Sequence, residues 1–169
     1  MATSVDGKTT QWYRPNIYKW TSKEDQEYFL SLVKKHGVII MGRKTYFAAA
    51  SLINLFPKKL RIVLTRNPDQ YTHLMIPRQL EFTNYQPREL LKKLELQGYS
   101  EALLVGGEEA NSAFLKEKAV DEMWITFEPK VFGSGNGLVS IEKFEIDLKL
   151  IDIVRLNKKG TLLAKYKVL

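Results

Sequence analysis

The chain has 169 residues, 44% hydrophobic and 27% charged, a soluble globular composition with no apolar run near the roughly 20 residues of a membrane span and no signal-peptide core. With no cysteine and only His36 and His73, it excludes disulfides and thiolate metal sites and gives no histidine-rich metal centre, which fits a reducing cytoplasm. A net charge of +7 invites anionic partners, but the Lys-Lys pairs at 34–35, 58–59, 92–93 and 158–159 are scattered as on a solvated surface, so neither nucleic acid nor membrane is the expected partner.

In chain order, residues 1–4 read as a short strand running into the turn Val5-Asp6-Gly7. As a complete strand it is short, which leaves open an element that begins upstream in the natural protein. A polar loop over 8–20 carries Trp12, Tyr13 and Trp20, either to cover a ligand or to pack on the body of the domain. Ser22-Lys-Glu-Asp25 is a helix start, with a capping hydroxyl and acids in the first turn. Tyr28, Phe29, Leu32 and Val33 form the buried stripe of that helix, and Gly37 is its expected stop.

The run 38–41 is a core strand that enters Gly42-Arg43-Lys44-Thr45, a glycine turn followed by a short helix. A third strand over 60–65 ends at Arg66-Asn67-Pro68, and a short fourth lies at 80–83. Pro87 opens a helix with Leu90, Leu91 and Leu94 inward and Gly98 at its end. Residues 102–105, apolar on both faces, read as a buried parallel strand. They meet Gly106-Gly107, then a helix with Ala110, Ala113 and Phe114 inward, then a strand over 123–127. After a glycine-rich loop at 129–138, strands over 146–156 and 162–168 form a hairpin joined at 157–160. The expected fold is α/β, one domain over 1–169, with helices alternating with strands and an antiparallel hairpin at the end.

In open α/β sheets ligands sit outside the carboxyl ends of the strands. Here those ends carry Asp6-Gly7, Gly42 to Thr45, Thr65-Arg66 and Gly106-Gly107. Adjacent glycines let backbone N–H groups approach a phosphate, and the positive end of the following helix favours one. A plain tight turn explains the glycine pair equally well on its own. Arg43, Lys44 and Arg66 add fixed cations of the kind a 2′-phosphorylated dinucleotide requires.

Met41 to Thr45 (MGRKT), Leu64 to Arg66 (LTR) and Val105 to Gly107 (VGG) resemble the NADP-binding segments of the dihydrofolate reductase-like superfamily. Ser4-Val-Asp-Gly-Lys8, Val120-Asp-Glu122 and the run Pro129 to Gly135 (PKVFGSG) are similar to the reductase domain of riboflavin biosynthesis, the RibD C-terminal domain. The resemblance spans nearly the whole chain in order. It implies a three-layer sandwich with a mostly parallel central sheet, helices on both faces and a C-terminal antiparallel hairpin. NADPH is the implied cofactor, with Gly42, Arg43, Lys44 and Thr45 at its phosphates, Thr65 and Arg66 at the 2′-phosphate, and Gly106, Gly107 and Glu108 around the pyrophosphate.

On the substrate side the resemblance implies Ser4 and Asp6 from the riboflavin-type motif. Trp20, Asp25 and Phe29 match the spacing by which dihydrofolate enzymes place a carboxylate on the first helix. Features of both branches are therefore present. The riboflavin-pathway ribosylaminopyrimidine is placed ahead of dihydrofolate as substrate. The zinc deaminase module is absent from this sequence, so a stand-alone reductase is expected. Hydride transfer needs a proton source, and Asp6 and Asp25 are the candidate acids, with an ordered water as the alternative. Beside Trp20 and Phe29 a carboxyl is expected to have its pKa raised by desolvation. Each acid also has a plain role, Asp6 in a turn and Asp25 at a helix start. A homodimer through the C-terminal hairpin, a catalytically silent nucleotide-binding module and a basic nucleic-acid-binding domain complete the expectations.

Overall fold

The computed structural model describes every residue except Tyr13 and Pro15 and, at Ile17, the backbone only. Tyr13 of the aromatic loop thus lies outside the described residues. The elements are β1 (Ala2–Ser4), α1 (Lys23–Lys35), β2 (Val38–Gly42), α2 (Arg43–Ala49), β3 (Leu60–Leu64), β4 (Leu80–Thr83), α3 (Pro87–Leu96), β5 (Leu103–Leu104), α4 (Glu108–Lys116), β6 (Glu122–Glu128), β7 (Leu148–Arg155) and β8 (Leu162–Val168). Short 3-10 segments occur at Ile17–Lys19, Ala50–Leu52 and Pro68–Leu74.

The strands order as β4-β3-β2-β5, all parallel, and β1-β6-β8-β7, where β1 and β6 are parallel and the β6-β8 and β8-β7 pairs antiparallel. The two sections meet where Gly106, just past β5, lies against Met1, just before β1: a Cβ on Gly106 would fall 2.9 Å from Met1 Cε. Alternation along β2 and β3 decides the layers. Val38, Ile40, Leu60 and Ile62 face Leu90 and Leu94 of α3 and Phe114 of α4. Ile39, Met41 and Val63 face the other way, toward Tyr46 of α2, Phe82 and the half-buried Val33 of α1. The result is an α/β three-layer sandwich with a mostly parallel central sheet and a C-terminal antiparallel hairpin. No helix among the described residues is long and apolar enough to cross a membrane.

Local chemistry sets the element ends. Ser22 caps α1, its Oγ accepting the Asp25 N–H at 3.3 Å. The far end differs from expectation: His36 turns extended (φ −86°, ψ 135°), and Gly37 is not in a left-handed conformation, so the helix stops without a glycine cap. Lys59 instead reaches the last turn and donates to the carbonyls of Val33, Lys34 and His36.

Burial departs from the sequence pattern at three places. The 102–105 run is only half-buried, because among the described residues β5 forms a ladder with β2 alone. Inside β3, Arg61 is 5% exposed, and its Nη1 has no hydrogen-bond partner among the described residues. All of β7 is exposed, because among the described residues β8 is its single neighbour in the sheet. Phe114→Ala is expected to lower stability by about 3–5 kcal/mol, whereas Leu96→Ala, at a residue 82% exposed, should stay within about 0.5 kcal/mol; urea unfolding of both variants checks the assigned core.

Candidate functional site

Parallel pairing brings the carboxyl ends of β2, β3, β4 and β5 to one edge of the sheet, and a groove of about 840 Å³ opens there. The Gly42 N–H donates to Gly106 O at 2.7 Å, which draws the starts of α2 and α4 together. Space for a side chain is tight at Gly107 and ordinary at Gly42. A Cβ on Gly42 would sit 3.6 Å from Gly107 N, and one on Gly107 would sit 3.2 Å from Thr45 Oγ1. Gly106 adopts φ +93°, a conformation suited to glycine. The peptide between the two glycines is cis. Gly42, Arg43, Lys44, Thr45, Thr65, Arg66, Gly107 and Glu108 all line the groove, with Gly106 immediately behind it.

The charges are unevenly committed. Lys44 pairs with Glu109 at 3.2 Å and Lys116 with Glu142, while Glu117 accepts the Arg88 N–H at 3.0 Å. Arg43 and Arg66 form no ion pair among the described residues. Arg66 also borders a smaller recess of about 480 Å³ beside Lys116. Glu108 braces the groove wall: its Oε2 accepts the Gly137 N–H at 3.1 Å, fastening the glycine-rich loop to the start of α4. The motif reading overlooked Thr83, Asn84, Tyr85, Gln86 and Asn136, which also line the groove. The first four lie at the end of β4 and just beyond it, so extending the strand-end rule to the short fourth strand would have found them.

Asp6 clamps two loops. Its carboxylate accepts from Ser4 Oγ at 2.6 Å, Phe132 N–H at 3.1 Å and Gly133 N–H at 2.8 Å. These bonds, the Ser4 hydroxyl foremost, bring its pKa down to about 2. The aromatic loop is laced to the same glycine-rich segment by Thr9 N–H to Asn136 O at 2.8 Å and Trp12 Nε1 to Phe132 O at 3.2 Å. Gly135 lies so close that a Cβ there would reach 2.1 Å from Thr10 O. Trp20 is buried and stands edge-on to Phe132 at 5.1 Å, with its indole Nε1 unpartnered among the described residues.

Asp25 is the one fully buried residue of α1, 6% exposed, whereas the apolar stripe around it, Phe29 included, is only half-buried. Burial raises the pKa of its carboxyl; the Thr126 hydroxyl and the Met1 amine act against that, Glu128 acts with it, and the Thr21 hydroxyl acts against it. Met1 spans both halves of the region, with its amine near Asp25 and its methyl group against Gly106. Ser4, Asp6, Trp20, Asp25 and Phe29 are not among the described residues that line the groove. The two candidate acids are opposites: an exposed carboxylate held ionised, and a buried carboxyl that resists ionisation.

The family model described as "RibD C-terminal domain" matches residues 1–162. The chain belongs to that family. The Bacillus subtilis (strain 168) protein YwjB is 35% identical over 125 residues, which are 73% of this chain and 65% of YwjB. A dihydrofolate reductase of Aedes albopictus is 38% identical over 55 residues, 29% of this chain and 30% of that protein. The chain thus spans less than two thirds of the length of either relative. Among solved structures, a putative riboflavin biosynthesis protein from Shewanella sp. PV-4 superposes with TM-score 0.78 at 22% identity, covering 100% of this chain and 96% of that one. Acinetobacter baumannii RibD gives TM-score 0.78 at 20% identity, covering 100% of this chain but 56% of that one. These likenesses establish the fold, and the family supports a reductase-type function in general terms.

For this RibD C-terminal domain, the opposed acids predict opposite linkages. Asp6, depressed from 3.8 to about 2, contributes stability that is present above its unfolded pKa and lost as pH falls through its folded value. Asp25, raised on folding, favours the native state below its unfolded pKa and loses that contribution as pH rises through its folded value. Accordingly, Asp6→Ala is expected to lower Tm near neutrality with a deficit that closes in strong acid. Asp25→Asn is expected to raise Tm near neutrality with a gain that closes on acidification. Thermal melts across pH check both signs.

Proposed function

We propose that this protein is an NADPH-dependent reductase of a pyrimidine- or pterin-like heterocycle. A 5-amino-6-(5-phosphoribosylamino)uracil-type compound, the substrate class in the name of a Thermotoga maritima structural neighbour, is the leading substrate. The observation that carries the reading is one groove combining the Gly42–Gly107 junction, two helix starts and Arg43 and Arg66, which form no ion pair among the described residues. This fits a dinucleotide whose pyrophosphate needs close backbone approach and whose 2′-phosphate needs a fixed cation. Gly42 to Thr45, with Gly106 and Gly107, would hold the phosphates, and Thr65 with Arg66 the 2′-phosphate. Glu108 contributes by fixing the loop beside them.

When bound, NADPH supplies the hydride. This chain's residues orient, exclude water and manage the proton. Asp25 is the better of the two acids for proton delivery, since burial favours its protonated form while Asp6 is held as a carboxylate. Asp6 and Ser4 then serve the substrate side by fixing the loops, and Trp20 and Phe29 by walling the pocket. Dihydrofolate is the second reading, favoured by the buried Asp25 within the Trp20, Asp25, Phe29 spacing and by the local likeness to the Aedes enzyme.

The reading extends to a cytoplasmic homodimer. Among the described residues β7 leaves one backbone edge unpaired, and it exposes Leu148, Leu150, Ile151, Ile153 and Val154. A second copy on this edge, related by a two-fold axis, would cover them.

Loss of reduced-nicotinamide absorbance with each candidate heterocycle tests the activity and separates the two substrates. Arg66→Ala is expected to weaken NADPH by about tenfold or more while leaving NADH nearly unchanged; equal loss for both removes Arg66 from the 2′-phosphate. Asp25→Asn is expected to lower turnover by roughly 10²–10⁴-fold with coenzyme affinity retained. In sedimentation experiments Ile153→Lys should convert the dimer to a monomer, and a wild-type monomer would refute the assembly.

A further inference from the structure

A second carboxylate lies behind Asp25. Glu128, at the end of β6, is 2% exposed, and strands place it on the same face as Thr126, two residues earlier, whose hydroxyl borders Asp25. Its Oε1 accepts the Ser22 N–H at 2.6 Å, and its Oε2 accepts the Thr161 hydroxyl at 2.9 Å. Burial of a carboxylate is tolerated here because a helix start and a hydroxyl both donate to it.

The partner of Ser22 decides the role. Ser22 is the N-cap of α1 and Asp25 the third residue of the helix. In a capping box the acid at that position reaches back to the N-cap N–H, while the N-cap hydroxyl accepts its N–H. Here only half of the box is made. Ser22 Oγ accepts the Asp25 N–H, but the Ser22 N–H goes to Glu128, from a strand 106 residues away in sequence. The Asp25 side chain is relieved of capping duty and remains beside Thr21, Thr126 and the Met1 amine.

We propose that Glu128 is a positioning residue for Asp25: by taking over the Ser22 N–H it releases the Asp25 carboxyl from the capping box that Ser22 would otherwise close with it. This rests on the reading of Asp25 as the substrate-side acid. The charged and titratable groups facing Asp25 are the Met1 amine from the start of β1, Tyr18 from the 3-10 segment at Ile17–Lys19 and Glu128 from β6. Of these, Glu128 is the one whose charge opposes ionisation of Asp25 and which also holds the helix that carries it.

The test follows the Asp25 carboxyl carbon by NMR titration in the full chain, for wild type, Glu128→Gln and Glu128→Ala, alongside the pH profile of kcat/KM. Gln can still accept the Ser22 N–H, so Glu128→Gln removes charge alone and should move the Asp25 midpoint down, with KM little changed. Ala also vacates the Ser22 N–H, which Asp25 can then accept as the capping box prescribes. Its midpoint should fall further, kcat should drop and KM should rise, with Glu128→Gln giving partial rescue. If the alanine variant does not fold, the glutamine variant decides alone. An Asp25 midpoint that stays put in a folded Glu128→Gln protein would overturn the proposal and leave Glu128 a brace. The NMR readout needs no turnover: a shifted midpoint in a protein that reduces no candidate heterocycle would sink the reductase reading while sustaining the positioning role, and an unshifted midpoint in an active enzyme would do the reverse.

Discussion

The hydrogen bond from the Gly42 N–H to Gly106 O, 2.7 Å long, is the constraint on which the site depends. It ties the end of β2 to the segment just past β5, at a place where a Cβ on Gly107 would press on Thr45 Oγ1 at 3.2 Å. With those strand ends joined, α2 and α4 begin side by side and their first N–H groups share one groove. Arg43 and Arg66 then supply charge that the paired lysines Lys44 and Lys116 do not. A groove lined by two helix starts and by cations is chemically suited to a phosphorylated ligand.

A second principle governs the acid side. Burial and charge push the two carboxyls in opposite directions, and each direction has a visible cause. Asp6 is exposed but receives three hydrogen bonds, so the ionised form is favoured. Asp25 is withdrawn from water and has Glu128 nearby, so the neutral form gains. Asp6 is a turn residue by its local sequence and becomes a clamp because the glycine-rich loop arrives from the far end of the chain. Loop lacing also settles the aromatic segment among its described residues: Trp12 is tied to the glycine-rich loop and Trp20 is packed against Phe132.

Much of the fold was legible because its signals are local. The cap at Ser22, Pro87 at a helix start, the strand end at Gly42 and the hairpin turn at 157–160 each announce themselves within a few residues. Gly37 misled for an instructive reason: a glycine after a helix suggests a left-handed cap, but here a lysine from the chain before β3 satisfies the last carbonyls. The hairpin itself was legible from its alternation, whereas the exposure of β7 was not, because burial depends on neighbours and β7 has one strand beside it among the described residues. Glu128 was invisible for the same reason, since its meaning lies in Ser22 and Thr161, which pattern reading cannot bring together. Arg61 sat unnoticed within an apolar run, and nothing in its surroundings explains its unpartnered nitrogen.

If one groove at the strand ends receives the reduced coenzyme, a crystal structure of the protein grown with NADPH will show it. The expected result is density for the pyrophosphate against Gly42 and Gly107, with the 2′-phosphate beside Arg66 and the nicotinamide directed toward Asp25. Coenzyme bound on another surface, or a groove that stays empty at saturating NADPH, would contradict it.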